Sequence, residues 1–189
     1  MSNSAELTQE KLQFPTIDAG VRIGHVHLKV GDLQRALDFY CGILGFTLTT
    51  SRPGAAFISA GGYHHHLGLN TWESKGGHRP AAGTTGLYHT AILYPTRKLL
   101  ADALRRLIVA KIPLEGASDH GVSEALYLRD PDDNGVELYW DRPKEQWPLT
   151  KDGKLAMYTR RLDLMNLLAE LGQTPREQPI APLFEPARE

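Results

Sequence analysis

Cysteine is almost absent from this sequence. Cys41 stands alone among 189 residues, which excludes intrachain disulfides and thiolate-rich zinc centres and suits a reducing compartment. An excess of either charge is lacking as well. The 21 Lys and Arg stand against 22 Asp and Glu, a formal net charge of -1, so there is no electrostatic ground for nucleic acid or an anionic membrane as a partner. No apolar run approaches the roughly 20 residues of a membrane span, and the opening MSNSAELTQEKLQF carries no apolar signal-peptide core. A soluble, cytoplasmic protein is expected, and 41% hydrophobic with 23% charged residues is a globular composition. The length allows one ordinary domain or two small, closely packed modules.

What is present reads as two passes of one pattern. After a polar arm, residues 1–20, in which Leu12 and Phe14 are candidate anchors, RIGHVHLKV alternates Val26, Leu28 and Val30 with His25, His27 and Lys29. That is the period of a half-buried strand. Asp32 is placed to cap a helix in which Leu33, Ala36, Leu37, Tyr40 and Leu44 recur until Gly45; Cys41 falls inside it and is expected to be inert. FTLTT and AAFISA follow as short strands, and after the turn Gly61-Gly62 the run YHHHLGLNTW reads as another. ESKGGHRPAAGTTG is a loop. The second pass opens with the strand LYHTAILY and continues with the helix TRKLLADALRRLIVAKI, whose Leu100, Ala103, Leu104 and Leu107 share a face. It reaches the strand SEALYLR through IPLEGASDHG. Each half, 21–73 and 86–141, is therefore βαβββ with a histidine near the start of its first strand, His25 and His89. An α+β fold is expected in which paired βαβββ modules form a half-open barrel about a pseudo-twofold axis.

The stretch ALYLRDPDDNGVELYW closes the second half. Asn134-Gly135 suits the positive-φ positions of a two-residue hairpin, and Asp130-Pro131-Asp132-Asp133 leads into it. Val136, Leu138 and Trp140 fall on one face of the exit strand, Glu137 and Tyr139 on the other. A lone glutamate in such a strand is ordinarily solvent-facing; the histidines give this one company. By count from Gly61-Gly62, His64 corresponds to Glu137, with His66, Gly68 and Asn70 on the same face and His65 on the opposite face with Leu67 and Leu69. The first and last strands of the two halves would then present His25, His89, Glu137 and His64 or His66 to a common cavity. Two imidazoles and one carboxylate suit Fe(II), Mn(II), Zn(II) or Ni(II), and with open positions they suit a metal that binds both substrate and oxygen.

The segments GHVHLKVGDLQRALDFYCGILGF, GLYHTAILY and YLRDPDDNGVELYW resemble the vicinal oxygen chelate superfamily, which includes glyoxalase I, fosfomycin-resistance and bleomycin-binding proteins, and type I extradiol dioxygenases. The resemblance covers residues 20–145, and GGYHHHLGLNTW and SDHGVSEALYLRDPDDNGVELYWDRP are most similar to catechol 2,3-dioxygenase-like members. It implies that His25, His89 and Glu137 hold the metal, normally Fe(II). It also implies that Tyr127 hydrogen-bonds a bound catecholate and that His120 contacts substrate or oxygen. The acid–base histidine would lie in the HHH run. Alternation favours His66, whereas aligning Gly68 with a small residue of the family favours His65. His66 also matches the position of a carboxylate ligand in glyoxalase I, which would make it a fourth ligand. His78 is expected in an exposed loop.

The reaction so implied is Fe(II)-dependent extradiol cleavage of a catechol-type substrate with dioxygen. A histidine takes the second catechol proton, and the ring opens beside the hydroxyls to a semialdehyde. The chain departs from the many extradiol enzymes that carry two tandem copies of this domain: here a tail, 142–189, stands in place of a second copy. Asp163 can cap a helix LMNLLAELG whose Leu164, Leu167, Leu168 and Leu171 form an apolar stripe. The stripe either packs on its own domain or makes a homodimer contact, and Pro175, Pro179, Pro182 and Pro186 mark an extended arm. The same scaffold also serves glyoxalase-like isomerases, thiol transferases and metal-free bleomycin-type binding proteins. A fourth ligand would mark the isomerase, a cation-rich phosphonate pocket the transferase, and missing ligands the binding protein.

Overall fold

The computed structural model describes residues 15–172; Leu12, Phe14 and the proline-rich segment 173–189 lie outside them. Strand β1 (Val26–Lys29) realises the alternation: Leu28 and Val30 are buried, while His25, His27 and Lys29 are exposed. It runs parallel to β4 (Leu67–Asn70), which is followed outward by β3 (Ala55–Ser59) and β2 (Thr47–Arg52). The second module repeats the arrangement. Strand β5 (Thr90–Leu93) runs parallel to β8 (Gly135–Asp141), followed by β7 (Ser123–Arg129), β6 (Gly116–Asp119) and a two-residue β9 (Arg160–Arg161). Both sheets are mixed and open, so the chain has the expected α+β architecture of paired βαβββ modules. No described helix is long and apolar enough to cross a membrane.

Helix α1 (Leu33–Leu37) starts where the Asp32 carboxylate accepts a hydrogen bond from the Arg35 amide at 2.9 Å. It then widens into a π turn, Asp38–Ile43, and stops at Gly45, whose φ is +91°. The wider turn brings Phe39 inward beside Tyr40, a contact that a uniform α-helical period does not foresee. Helix α2 (Arg97–Val109), capped by Thr96, buries Leu100, Ala101, Ala103, Leu104 and Leu107. Helix α3 (Leu164–Ala169), capped by Asp163, lays the fully buried Leu167 against α2. Leu164, Leu168 and Leu171 pack half-buried on the same core, so the C-terminal stripe is used within its own domain.

The second hairpin differs from the sequence expectation. The left-handed residue is Asp133, at φ 70°, and neither Asn134 nor Gly135 has a positive φ. Its acidic residues tie the modules together. Asp130, only 5% exposed, accepts from the Asp132 and Asn134 amides at 2.9 and 2.8 Å, from Asn134 Nδ2 at 2.9 Å and from Tyr40 Oη at 3.0 Å. Burial pushes its carboxyl above the usual range, and those four donors pull the other way. Asp132 Oδ1 accepts from the Gly31 amide at 2.9 Å and from Arg35 Nη2 at 2.6 Å. Gly135 is needed for another reason: a Cβ there would collide with the Tyr88 carbonyl oxygen and come within 3.0 Å of His89 Cα. The missing side chain lets the entry to β5 cross close over β8.

Candidate active site

That crossing sets the site. His89 lies one residue before β5, and the register pairs Ala91 with Glu137 and Tyr127 with Glu137. Glu137 and Tyr127 therefore project from one face. His89 Nε2 is 2.9 Å from Glu137 Oε2, and Tyr127 Oη donates to Glu137 Oε1 at 3.1 Å. His120 Nε2 lies 2.8 Å from Tyr127 Oη, while His120 Nδ1 lies 3.1 Å from Thr159 Oγ1 and 3.2 Å from the Tyr158 carbonyl oxygen. His89, Glu137, Tyr127 and His120 are thus brought into one hydrogen-bonded chain. Burial, reinforced by the Glu137 carboxylate, holds the Tyr127 phenol well above its ordinary pKa, so it stays a protonated donor. A cavity of about 200 Å³ opens beside His89 and Tyr127, with Tyr88, Glu115 and Arg129 on its walls. Glu137, His120, His25 and His65 do not line it.

The first module carries the corresponding positions with different chemistry. Val26 pairs with Leu67 as Thr90 pairs with Val136, so His25 is the counterpart of His89, and Gly68 that of Glu137. Phe57, paired with Gly68, stands where Tyr127 stands. The sequence count that set His64 opposite Glu137 is therefore corrected. Its cause is local: after Gly61, at φ +70°, residues 63–66 form a bend, and β4 begins only at Leu67. Strand alternation does not reach the three histidines. His66 Nδ1 accepts from the Ala60 amide at 3.3 Å and contacts Ser59 Oγ at 3.0 Å, which pins the ring to the end of β3. His64 lies against Tyr63, its Nδ1 2.7 Å from His65 Nδ1. His65 faces His25, ring centroids 4.4 Å apart, and Phe57 at 5.1 Å. Burial, then the neighbouring His25 and His64, hold the His65 imidazole below its ordinary pKa.

Among the described residues no three His, Cys, Asp or Glu side chains stand close enough to hold one ion. The expected trio of His25, His89 and Glu137 is therefore not assembled. His25 precedes the paired part of β1 and packs on His65, while both Glu137 oxygens are engaged by His89 and Tyr127. His89 and Glu137 by themselves fit a divalent cation as adjacent nitrogen and oxygen donors. His89 Nδ1 is buried and has no hydrogen-bond partner among the described residues. A bare buried nitrogen costs less than a buried N–H without an acceptor, which puts the ring proton on Nε2, directed at Glu137.

His78 lies in an exposed loop, as expected. Cys41 is half-buried, and burial raises its thiol pKa, in keeping with an inert side chain. The contacts of Tyr158 and Thr159 with His120 escaped the sequence reading, because they depend on the pairing of β9 with β6. No local motif marks them.

The family model of the Glyoxalase/Bleomycin resistance protein/Dioxygenase superfamily matches residues 22–138. The chain is 42% identical over 157 residues to a catechol-2,3-dioxygenase of Bacillus subtilis (strain 168), over 83% of this chain and 54% of that one. It is 33% identical over 126 residues to biphenyl-2,3-diol 1,2-dioxygenase 3 of Rhodococcus globerulus, over 64% of this chain and 63% of that one. It thus spans less than two thirds of the length of either relative. A solved glyoxalase/dioxygenase structure from Nostoc punctiforme shares the fold, with a TM-score of 0.54 at 20% identity over 69% of this chain and 99% of that chain.

Proposed function

The chain belongs to the glyoxalase/bleomycin resistance protein/dioxygenase superfamily, and on that premise we propose that it is an extradiol dioxygenase, cleaving a catechol-type ring with dioxygen on Fe(II). The observation that carries this reading is the unequal pair of inner faces. Module two presents His89, Tyr127 and Glu137, whereas module one offers Gly68 and Phe57 at the positions of Glu137 and Tyr127. A site with a single carboxylate leaves coordination positions open for substrate and oxygen. A glyoxalase-like isomerase would use a fourth protein ligand; Gly68, the counterpart of Glu137, supplies none, and His66, the fourth-ligand candidate of the resemblance, has its Nδ1 held at Ser59 and Ala60.

In this reading His89 and Glu137 would hold the metal, and His25, the counterpart of His89, would join them as third ligand only by leaving its contact with His65. Bound Fe(II) would supply a centre on which catechol and dioxygen sit side by side and exchange electrons. The protein's own groups handle the protons. Tyr127, kept protonated, donates to a catechol oxygen. His65, kept neutral at neutral pH by its lowered pKa, takes a proton from the second hydroxyl. His66, with Nδ1 already engaged at Ser59 and Ala60, is left a structural role.

The test is oxygen uptake after anaerobic loading with Fe(II), using catechol and substituted catechols, with the yellow semialdehyde followed in parallel. One mole of product per mole of oxygen is expected, both oxygen atoms entering the product. Stoichiometric iron with no uptake on any catechol would refute the reading.

A further inference from the structure

The segment after β8 does more than cover the core. Tyr158 donates its backbone N–H to the His120 carbonyl at 3.2 Å, and β9 then pairs with β6, Arg160 opposite Asp119 and Arg161 opposite Ser118. The approach is close: a Cβ at Gly121, where φ is +78°, would lie 2.7 Å from the Tyr158 ring and 2.8 Å from Pro148. Two acceptor-capable groups are thereby placed on one nitrogen of His120, the Thr159 hydroxyl at 3.1 Å and the Tyr158 carbonyl at 3.2 Å.

We infer that Thr159 is a positioning residue, which together with the Tyr158 carbonyl keeps the proton of His120 on Nε2 and so keeps the Tyr127 phenol proton available at Glu137. The proton inventory leads there. Tyr127 has one hydrogen, donated to Glu137 Oε1, so its oxygen can only accept from His120, which requires an Nε2–H. When His120 is neutral its Nδ1 is then bare, and the Thr159 hydroxyl donates to it. When His120 is protonated, Nδ1–H has the Tyr158 carbonyl as acceptor. The pair serves both charge states without a turn of the ring, and Nε2–H points at Tyr127 in each. This rests on the dioxygenase reading only in giving Tyr127 a substrate to serve.

The experiment compares Thr159→Val and Thr159→Ser with the parent by long-range 1H–15N NMR of the His120 ring, in the full chain free of paramagnetic metal. The parent and the serine variant should show the Nε2–H tautomer. In the valine variant only the carbonyl remains at Nδ1, so the neutral ring should move its proton there, inverting the tautomer and turning the Tyr127 proton toward His120. Retention of Nε2–H in the valine variant, or failure of serine to restore it, would overturn the inference. Thr159→Ala serves the same comparison should valine prevent folding. The Fe(II) enzyme should lose roughly tenfold in kcat with valine and little with serine, at unchanged metal content. Inversion of the tautomer in a protein with no ring-cleavage activity would sink the dioxygenase reading and leave the role of Thr159 intact.

Discussion

At the level of single residues, the inner faces differ by one carboxylate and one hydroxyl, and the proposed chemistry follows from that difference. Glu137→Gln keeps the shape and the hydrogen bond from Tyr127 but removes the anion, so metal content measured after Fe(II) loading should fall at least roughly tenfold. Full occupancy in that variant would remove Glu137 from the ligand set. The three adjacent histidines separate by their partners. His65→Phe should cost about 10²–10⁴ in kcat with metal retained, the range for losing a general base. His66→Phe should leave kcat within a few-fold and lower thermal stability instead, since Ser59 Oγ and the Ala60 amide lose their acceptor. The reverse pattern in kinetics and melting would return the role to His66. How the three histidines part company was not legible in the sequence because alternation presumes a strand, and residues 63–66 are a bend. Strand order and alternation set His89 and Glu137 side by side, whereas Tyr127 and His120 were named through the family resemblance alone.

At the level of elements, strands and helices followed from periodicity, while the joints between them did not. The run DPDDNG announces a turn, and a turn is there, but its residues are chosen for tertiary reasons: Asp130 and Asp132 for partners in the other module, Gly135 for the passage of Tyr88 and His89. Those partners lie 90 and 101 positions away for Asp130 and Asp132, beyond the reach of any local pattern. The π turn of α1 was hidden for a related reason, as Phe39 and Tyr40 can both turn inward only because the core accepts both. Gly135→Ala tests the passage. The added methyl has no room against the Tyr88 carbonyl, so β5 must shift, at a cost of about 1–3 kcal/mol for overpacking. Because the shifted segment carries His89, metal affinity should drop together with stability. The comparison is Gly62→Ala, a glycine with open space around it, which should change neither. Denaturant melts and metal titrations of the two variants make the check.

Over the whole molecule the question is whether two modules with separate sheets fold as one body. One apolar core runs through both, joining Leu28, Ile58 and Leu69 of the first module to Leu104, Leu126 and Leu138 of the second, with Leu162 and Leu167 of the C-terminal segment. A buried polar tie crosses the same boundary at Tyr40 with Asp130, and a half-buried one at Gly31 with Asp132. Unfolding either module alone would break the buried Tyr40–Asp130 hydrogen bond, worth about 1.5–3 kcal/mol for a bond to a charged group, besides exposing half the core. A single transition is therefore expected. Trp72 reports on the first module, Trp140 on the second and Trp147 on the C-terminal segment, so variants retaining Trp72 alone or Trp140 alone give each half its own fluorescence signal. Their urea midpoints should coincide. Asp130→Ala should lower both together, by on the order of 3 kcal/mol, which at ~1–3 kcal/mol/M moves the midpoint by roughly 1 M or more. Midpoints that separate in the parent background would show that the shared core does not couple the modules. Midpoints that separate only with Asp130→Ala would make the buried carboxylate, rather than the apolar contact, the group that holds the two inner faces in register.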